Sequence, residues 1–319
     1  MISLADVYVG EGAAKVATAL EQFALARVRT QAEFDLGHGM LFEVFGPSGE
    51  IERKETLDRW FSGSLSAPDA AIPAAYHMIL ARDIHGEIAG VRDCFVTVDR
   101  ASRRAVVLLS HSLVLPAFRR SGLAALLRTA PITLAREMLG ADGEIMLVAE
   151  MEMVEPDQRI SVIRLISYGR AGFGVIPPSA LPYAQPDFHD FELDAKEPVP
   201  LPFLALVRVV GAEASREISR SHAEAVVAHL QAIHACHCRP DDLVPIRDHA
   251  LRALAAWPGD SIPLIAPPRD TTQLAALSPL LRARVQHLYP TEWRWGNPDA
   301  KPEDDLATLL DLWSSHATP

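Results

Sequence analysis

Apolar residues recur at helical spacing from Gly12 to about Arg29, with Val16, Leu20, Phe23, Ala24 and Arg27 on one side. This pattern predicts an amphipathic helix that Gly37 and Gly39 then break. Lys54 to Phe61 reads as a second, shorter helix with Leu57, Trp60 and Phe61 as its apolar side, before a loop rich in Ser, Pro and Ala over 62–73. From Tyr76 the period shortens. Tyr76–Asp83, Ile88–Val98 and Ala105–Leu115 read as strands separated by turns at His85-Gly86-Glu87 and Asp99–Arg103, a spacing suited to an antiparallel meander. After Pro116 the helical period returns, with Leu123, Leu126, Leu127 and Leu134 on one face and Gly140 as the stop. Glu144–Glu152 reads as a buried strand, Gln158–Ala171 as a helix and Phe173–Ile176 as a strand. Proline-rich chain over 177–202 follows, and the apolar Phe203–Val210 reads as a last strand returning to the sheet. Beyond Ala212 the pattern predicts helices only, at Ser215–Cys238, Leu243–Trp257, Thr272–Leu288 and Pro302–Ser314. The expected class is therefore α+β: a mixed, mostly antiparallel sheet flanked by helices in residues 1–211, and a small C-terminal helical domain in 212–319.

A length of 319 residues suits that two-domain division, and 49% hydrophobic residues suffice for a sizeable core. A net charge of -11 argues against a general affinity for nucleic acid, which needs clustered Lys and Arg, and favours a neutral or cationic substrate. Cys94, Cys236 and Cys238 are too few for a disulfide framework, which points to a reducing, cytoplasmic setting. Met1-Ile2-Ser3-Leu4-Ala5-Asp6 lacks a basic region before an apolar stretch, and no apolar run approaches membrane-spanning length, so neither secretion nor a membrane partner is expected.

The candidate chemistry begins at the strand ending in Leu115, followed by Pro116-Ala117-Phe118-Arg119-Arg120-Ser121-Gly122-Leu123-Ala124 and a helix. Small residues let the backbone approach an anion, and the first helical amides and the helix dipole favour negative charge, so the segment reads as a phosphate cradle. Arg119 and Arg120 add charged donors.

This stretch resembles motif A of the GNAT acyltransferases, Gln/Arg-x-x-Gly-x-Gly/Ala after an apolar strand, with Arg119, Gly122 and Ala124 filling the motif. Tyr168-Gly169-Arg170-Ala171-Gly172-Phe173 is similar to the Tyr-x-x-x-Gly-Phe arrangement common in that family, and the likeness covers roughly Tyr76 to Val210. The resemblance implies a GNAT-type sheet and acetyl-CoA as co-substrate, with no metal. It implies that Leu113, Val114 and Leu115 pair with pantetheine, that Arg119, Arg120, Ser121, Gly122, Leu123 and Ala124 hold the pyrophosphate, and that a backbone amide on the same strand polarises the thioester. Tyr168 would protonate the departing thiolate. The motif strand has no carboxylate, offering Ser110, His111 and Ser112, whereas Glu150 and Glu152 share one face of the next strand and either could act as base. The asparagine that many members carry near the start of the penultimate helix is missing, with Gln158 and Arg159 in its place.

Plainer readings stand beside these. Tyr168 could be a half-buried aromatic, Glu150 and Glu152 salt-bridged, and His111 a core histidine. His234-Ala235-Cys236-His237-Cys238 lacks the spacing of a zinc module, and Trp257, Trp293 and Trp295 suit helical packing. The expected function is an N-acetyltransferase acting on an amine. The alternative is a non-catalytic acyl-CoA-binding or regulatory module. A longer acyl-CoA or an acyl carrier protein as donor stays open, as does a tail that builds a homodimer or covers the acceptor site.

Overall fold

The helix expected over 12–29 is two elements in the computed structural model, which describes residues 4–8, 10, 12–48, 50–66, 70–140, 142–155, 159–187 and 199–293. Helix α1 (Ala13–Gln22) gives way to strand β1 (Phe23–Arg27), which pairs antiparallel with β2 (Ala74–Asp83), Phe23 opposite Asp83 and Arg27 opposite Ile79. Hydrogen bonding to the edge of β2 overrides the helical preference of Ala and Leu here. Helix α2 (Gln31–Phe45) starts at Thr30, whose hydroxyl accepts the Glu33 amide at 3.3 Å while the Glu33 carboxylate accepts the Arg29 amide at 3.3 Å. The hydroxyl caps the helix, and the carboxylate fixes the residue that enters it. Gly37 and Gly39 lie inside this helix and do not break it; a Cβ on Gly37 would strike the Met78 sulfur, so the glycine lets α2 lie close on β2.

Helix α3 (Lys54–Phe61) has its expected bounds. Strands β2, β3 (Ile88–Asp99) and β4 (Arg104–Leu108) form the meander, and β5 (Ser112–Val114) pairs with β3. Helix α4 (Leu123–Leu139) crosses to β6 (Glu144–Glu152), which runs parallel to β4. Helix α5 (Arg159–Arg170) and the short β7 (Gly174–Val175) and β8 (Ala184–Gln185) lead to β9 (Leu201–Val209), which pairs antiparallel with β6, β7 and β8. Sheet order is β1-β2-β3-β4-β6-β9-β7. The sheet is mixed and mostly antiparallel, with β4–β6 as its parallel pairing among the named strands.

Both faces of the sheet are covered. Val16 and Ala19 of α1, Leu126 and Leu127 of α4 and Leu165 of α5 fill one core, joined by Leu274, Leu280 and Trp293. Phe34 and Leu41 of α2 and Leu57 and Trp60 of α3 fill the other, joined by Val226 and Leu230 of α6 (Arg220–His234) and Leu254 of α7 (Pro240–Ala256). Residues from beyond Gly211 thus enter both cores. The expectation of helices only beyond Ala212 is corrected by a two-stranded sheet, β10 (Glu217–Ser219) with β11 (Ser261–Pro263). Helix α6 begins after β10, where Ser219 and His222 form a capping box. Thr271–Leu280, kinked at Gln273, is 3-10 in character, followed by a short helix at Arg282–Val285. Gln158, Trp295 and the helix expected over Pro302–Ser314 lie outside the described residues. Among the described residues no helix is long and apolar enough to cross a membrane.

Candidate active site

The strand expected over Ala105–Leu115 is not continuous. Parallel pairing of β4 with β6 reaches Leu108 opposite Val148, with one further bond from the Leu109 amide to the Val148 carbonyl (2.8 Å). The chain then bends through Ser110 and His111, and β5 pairs with β3 alone, Ser112 opposite Arg92 and Val114 opposite Gly90. Strand β6 meanwhile continues against β9 to Glu152. Neighbouring strands therefore part, leaving a wedge-shaped gap between β5 and the end of β6.

Backbone alternation decides which β5 groups face this gap. The His111 carbonyl accepts the Asp93 amide (3.2 Å) and the Leu115 amide donates to the Ala89 carbonyl (3.0 Å), so Leu113 between them also faces β3. Leu113 and Leu115, expected to pair with an extended ligand, have their backbone groups committed to the sheet. Val114 turns its groups to the gap, and Ser112 does the same. The Val114 carbonyl accepts from Arg119 Nε at 3.4 Å.

Below the gap, a 3-10 turn at Pro116–Phe118 leads into the loop before α4. Arg120 (φ 66) and Gly122 (φ 93) are left-handed, and alternation of handedness along a loop gathers successive amides into an anion-binding nest. Ser121 Oγ donates to the Phe118 carbonyl (2.7 Å) and accepts the Leu123 amide (3.3 Å). Arg119, Arg120 and Ala124 are exposed, while the Leu123 side chain is buried and leaves only its backbone for a ligand. Gly122 has a second reason to be glycine: a Cβ there would lie 2.9 Å from the Lys15 carbonyl oxygen of α1. The six expected loop residues thus gather at one helix N-terminus, a setting that favours an anion.

On the α2 and α6 side, the face carrying Met146 and Val148, the strands present carboxylates. Glu150 accepts from the Tyr183 hydroxyl and from Gln185 Nε2 (3.1 Å), with His234 Nε2 at 3.5 Å. Glu152 pairs with Arg164 (3.0 Å), which also reaches Glu50 (3.4 Å). Asp93, fully buried on β3, accepts from the Tyr76 hydroxyl (3.1 Å), the His111 amide (2.6 Å) and His111 Nδ1 (3.1 Å). His111 Nε2 lies 2.8 Å from the Glu50 carbonyl. A carbonyl and a carboxylate both only accept, so each ring nitrogen carries a proton and His111 is an imidazolium. Burial opposes that charge, but the charge and hydrogen bond of Asp93, helped by Glu52, raise the pKa of His111 to about 9. Burial likewise pushes Asp93 up, and His111 more than reverses it. His111 is therefore no proton acceptor at neutral pH; it ties the bend between β4 and β5 to β3 and to the 46–53 loop. Glu52 in that loop is buried, and burial pushes its pKa up, with His111 opposing and Asp93 adding to the rise.

The opposite side of the gap is cationic. Arg92 is 3% exposed on the face shared with Cys94 and Val96, and Arg128 of α4 is buried near it. Tyr168 of α5 is half-buried, its ring 5.0 Å from that of Phe173 at 68°. Both Arg92 and Arg164 lie within electrostatic reach of the Tyr168 hydroxyl. Tyr168 and Glu150 thus belong to opposite sides of the gap.

Arg92, Asp93, Glu52, Tyr183 and Gln185 were not singled out by the sequence reading. Arg92 and Asp93 carried a signal, two charges inside Gly90-Val91-Arg92-Asp93-Cys94-Phe95, because burying a charge is costly without a purpose. Tyr183 and Gln185 sit in aperiodic, proline-rich chain. A separate cavity of about 370 Å³, lined in part by Glu144, Arg208, Glu213 and Arg269, lies beside β10 and includes none of the gap residues. Trp293 is buried against His249 and Tyr289, at 5.0 and 6.0 Å between ring centres.

No family model and no curated protein matches the chain. Among solved structures it is similar to a GCN5-related glucosamine N-acetyltransferase region of a fungal multi-domain GH3 β-N-acetylglucosaminidase, at 21% identity and TM-score 0.35, over 48% of this chain and 17% of that one. It is similar to a nourseothricin acetyltransferase at 21% identity and TM-score 0.26, over 42% of this chain and 65% of that one. It is also similar to spermidine N-acetyltransferase from Vibrio cholerae, in complex with CoA and spermine, at 12% identity and TM-score 0.36, over 61% of this chain and 99% of that one. The chain thus spans under two thirds of the length of the first two.

Proposed function

We propose that the chain is a GNAT-type acyltransferase that moves an acyl group, acetyl in the simplest case, from a CoA thioester to a positively charged amine. One observation carries this reading: a gap between parting strands with cationic groups and a helix N-terminus on one side and buried carboxylates on the other. An anionic donor and a cationic acceptor are each drawn to the complementary side, which holds two reactants in one place and so lowers the barrier.

The residues present fit such a donor. The nest amides from Ser121 to Ala124, with Arg119 and Arg120, hold the pyrophosphate, and the gap-facing backbone of Val114 and Ser112 orients pantetheine. The donor supplies an activated acyl group when bound. The outward amide of Ser112, nearest the bend, polarises the carbonyl being attacked. Tyr168 gives its hydroxyl proton to the leaving thiolate. Glu150, held by Tyr183 and Gln185, takes the amine proton directly or through water, and Glu52, its pKa raised by burial, is the second acceptor of that proton. Glu152, paired with Arg164, shapes the rim. His111 holds the acceptor-side loop against the bend, a positioning role.

The test is release of free thiol from acetyl-CoA across a panel of diamines, polyamines and amino sugars, with wild type and Glu150→Gln. The reading expects release that depends on a polycationic amine and falls at least 100-fold in the variant. Saturable CoA binding with no release across the panel, from acetyl-CoA or from a longer acyl-CoA, sinks the enzyme reading and leaves a binding module.

A further inference from the structure

Among the described residues Arg92 forms no ion pair. It is 3% exposed, and its Nε and Nη1 are buried without a hydrogen-bond partner among the described residues. Asp93, the adjacent carboxylate, points to the other face of the sheet, where His111 and Tyr76 engage it. Among the described residues, the groups that act most strongly on Arg92 from packed elements are Arg128 of α4, another cation, and Tyr168 of α5; Cys94 and Asp93 adjoin it on its own strand. A buried guanidinium left in this state is unfavourable, and it becomes favourable only when an anion joins it.

Its position says which part of a ligand that anion would be. Arg92 stands opposite Ser112, whose own backbone faces the gap, and it shares its side of the sheet with Tyr168. The nest lies at the other end of β5: Val114 is opposite Gly90, and Leu123 at the start of α4 is the neighbour of Gly90. Arg92 is two residues, about 7 Å, farther along β3 from the nest than Gly90. A donor anchored by its phosphates at the nest and extended along β5 therefore brings its acyl end, and not its phosphates, to Arg92. A planar guanidinium with free N–H groups suits a carboxylate.

We propose that Arg92 recognises a carboxylate at the far end of the donor's acyl chain, so that the preferred donor is the CoA thioester of a short dicarboxylic acid, of the malonyl or succinyl type. This inference rests on the CoA-donor reading of the gap.

The experiment is calorimetric titration of free CoA, butyryl-CoA and succinyl-CoA into wild type, Arg92→Met and Arg92→Lys. Butyryl and succinyl chains have the same carbon count and differ by the terminal carboxylate. In wild type, succinyl-CoA binds at least 10-fold tighter than butyryl-CoA. In Arg92→Met that preference disappears while free CoA still binds saturably, and in Arg92→Lys it is partly retained. Removal of an uncompensated buried charge also raises the melting temperature of Arg92→Met, so misfolding does not mask the result. Equal affinities of wild type for the two thioesters, with free CoA still bound, overturn the carboxylate proposal and leave the donor site standing, whatever the variant does to transfer rate. No binding of free CoA by the folded wild type overturns both.

Discussion

Removal of the carboxylate opposite His111 tests the physical account of the gap most sharply. In Asp93→Asn the imidazolium loses its counter-charge while both ring nitrogens stay buried against Glu50, Glu52 and the Phe45 ring. The His111 pKa stands at about 9 against an ordinary 6.5. A shift of that size corresponds to about 3 kcal/mol between protonation states, the same order as breaking a buried pair by removing one partner. The sign follows from a raised folded-state pKa: this stability is complete below about pH 6.5 and is lost as pH rises through about 9. Urea denaturation of wild type, Asp93→Asn and His111→Gln from pH 6 to 10, with the His111 ring followed by NMR, measures it. Wild type should lose about 3 kcal/mol across that range, and both variants should lose much less of it while being less stable at pH 6. A His111 ring that titrates near 6.5 in the folded protein, or variants whose pH dependence matches wild type, would refute the reasoning.

Other consequences are more local. Tyr168→Phe keeps the ring packed on Phe173 and removes the acid, so turnover in the thiol-release assay should fall about 100-fold with CoA affinity unchanged; equal losses in both would make Tyr168 a packing residue. Gly169→Ala should destabilise by roughly 1–3 kcal/mol in urea, although alanine favours an open helix, because the new Cβ would press on the Pro268 carbonyl oxygen and lie 2.8 Å from that of Pro267. A gain in stability would contradict that packing. Arg120→Gly relieves a left-handed arginine (φ 66) and should raise stability by about 1 kcal/mol while weakening CoA binding. Movement of both in one direction would separate the strained backbone from the anion site.

Much of this was legible in the sequence wherever one periodicity held without competition. Lys54–Phe61 and Glu144–Glu152 have their expected bounds, and the Arg119–Ala124 loop sits at the helix N-terminus that its small residues and arginines foretold. The failures have physical causes. Phe23-Ala24-Leu25-Ala26-Arg27 can be helix or strand, and the free edge of β2 decides the matter. Gly37 looked like a breaker because the contact it relieves, with Met78, is distant in sequence; the Thr30-Gln31-Ala32-Glu33 cap was the local signal for that helix. The break at Ser110 and His111 was hidden because its cause, Asp93, lies on another strand. The same break commits Leu113 and Leu115 to β3 and brings Ser112 into the gap, an exchange no single-strand pattern could express. The acid and base candidates were found by residue type, but their division between opposite sides of the gap appears only when β5 and β6 part.

The most direct test of the central claim is calorimetric titration of CoA into wild type and the double variant Arg119→Glu, Arg120→Glu. Both side chains are exposed, so the exchange reverses charge at the nest without disturbing the core, unlike any substitution at Gly122, which would press on α1. The account predicts saturable binding by wild type that weakens at least 100-fold in the variant, with both proteins equally stable. Equal binding by the two, or no binding by the folded wild type, would contradict it.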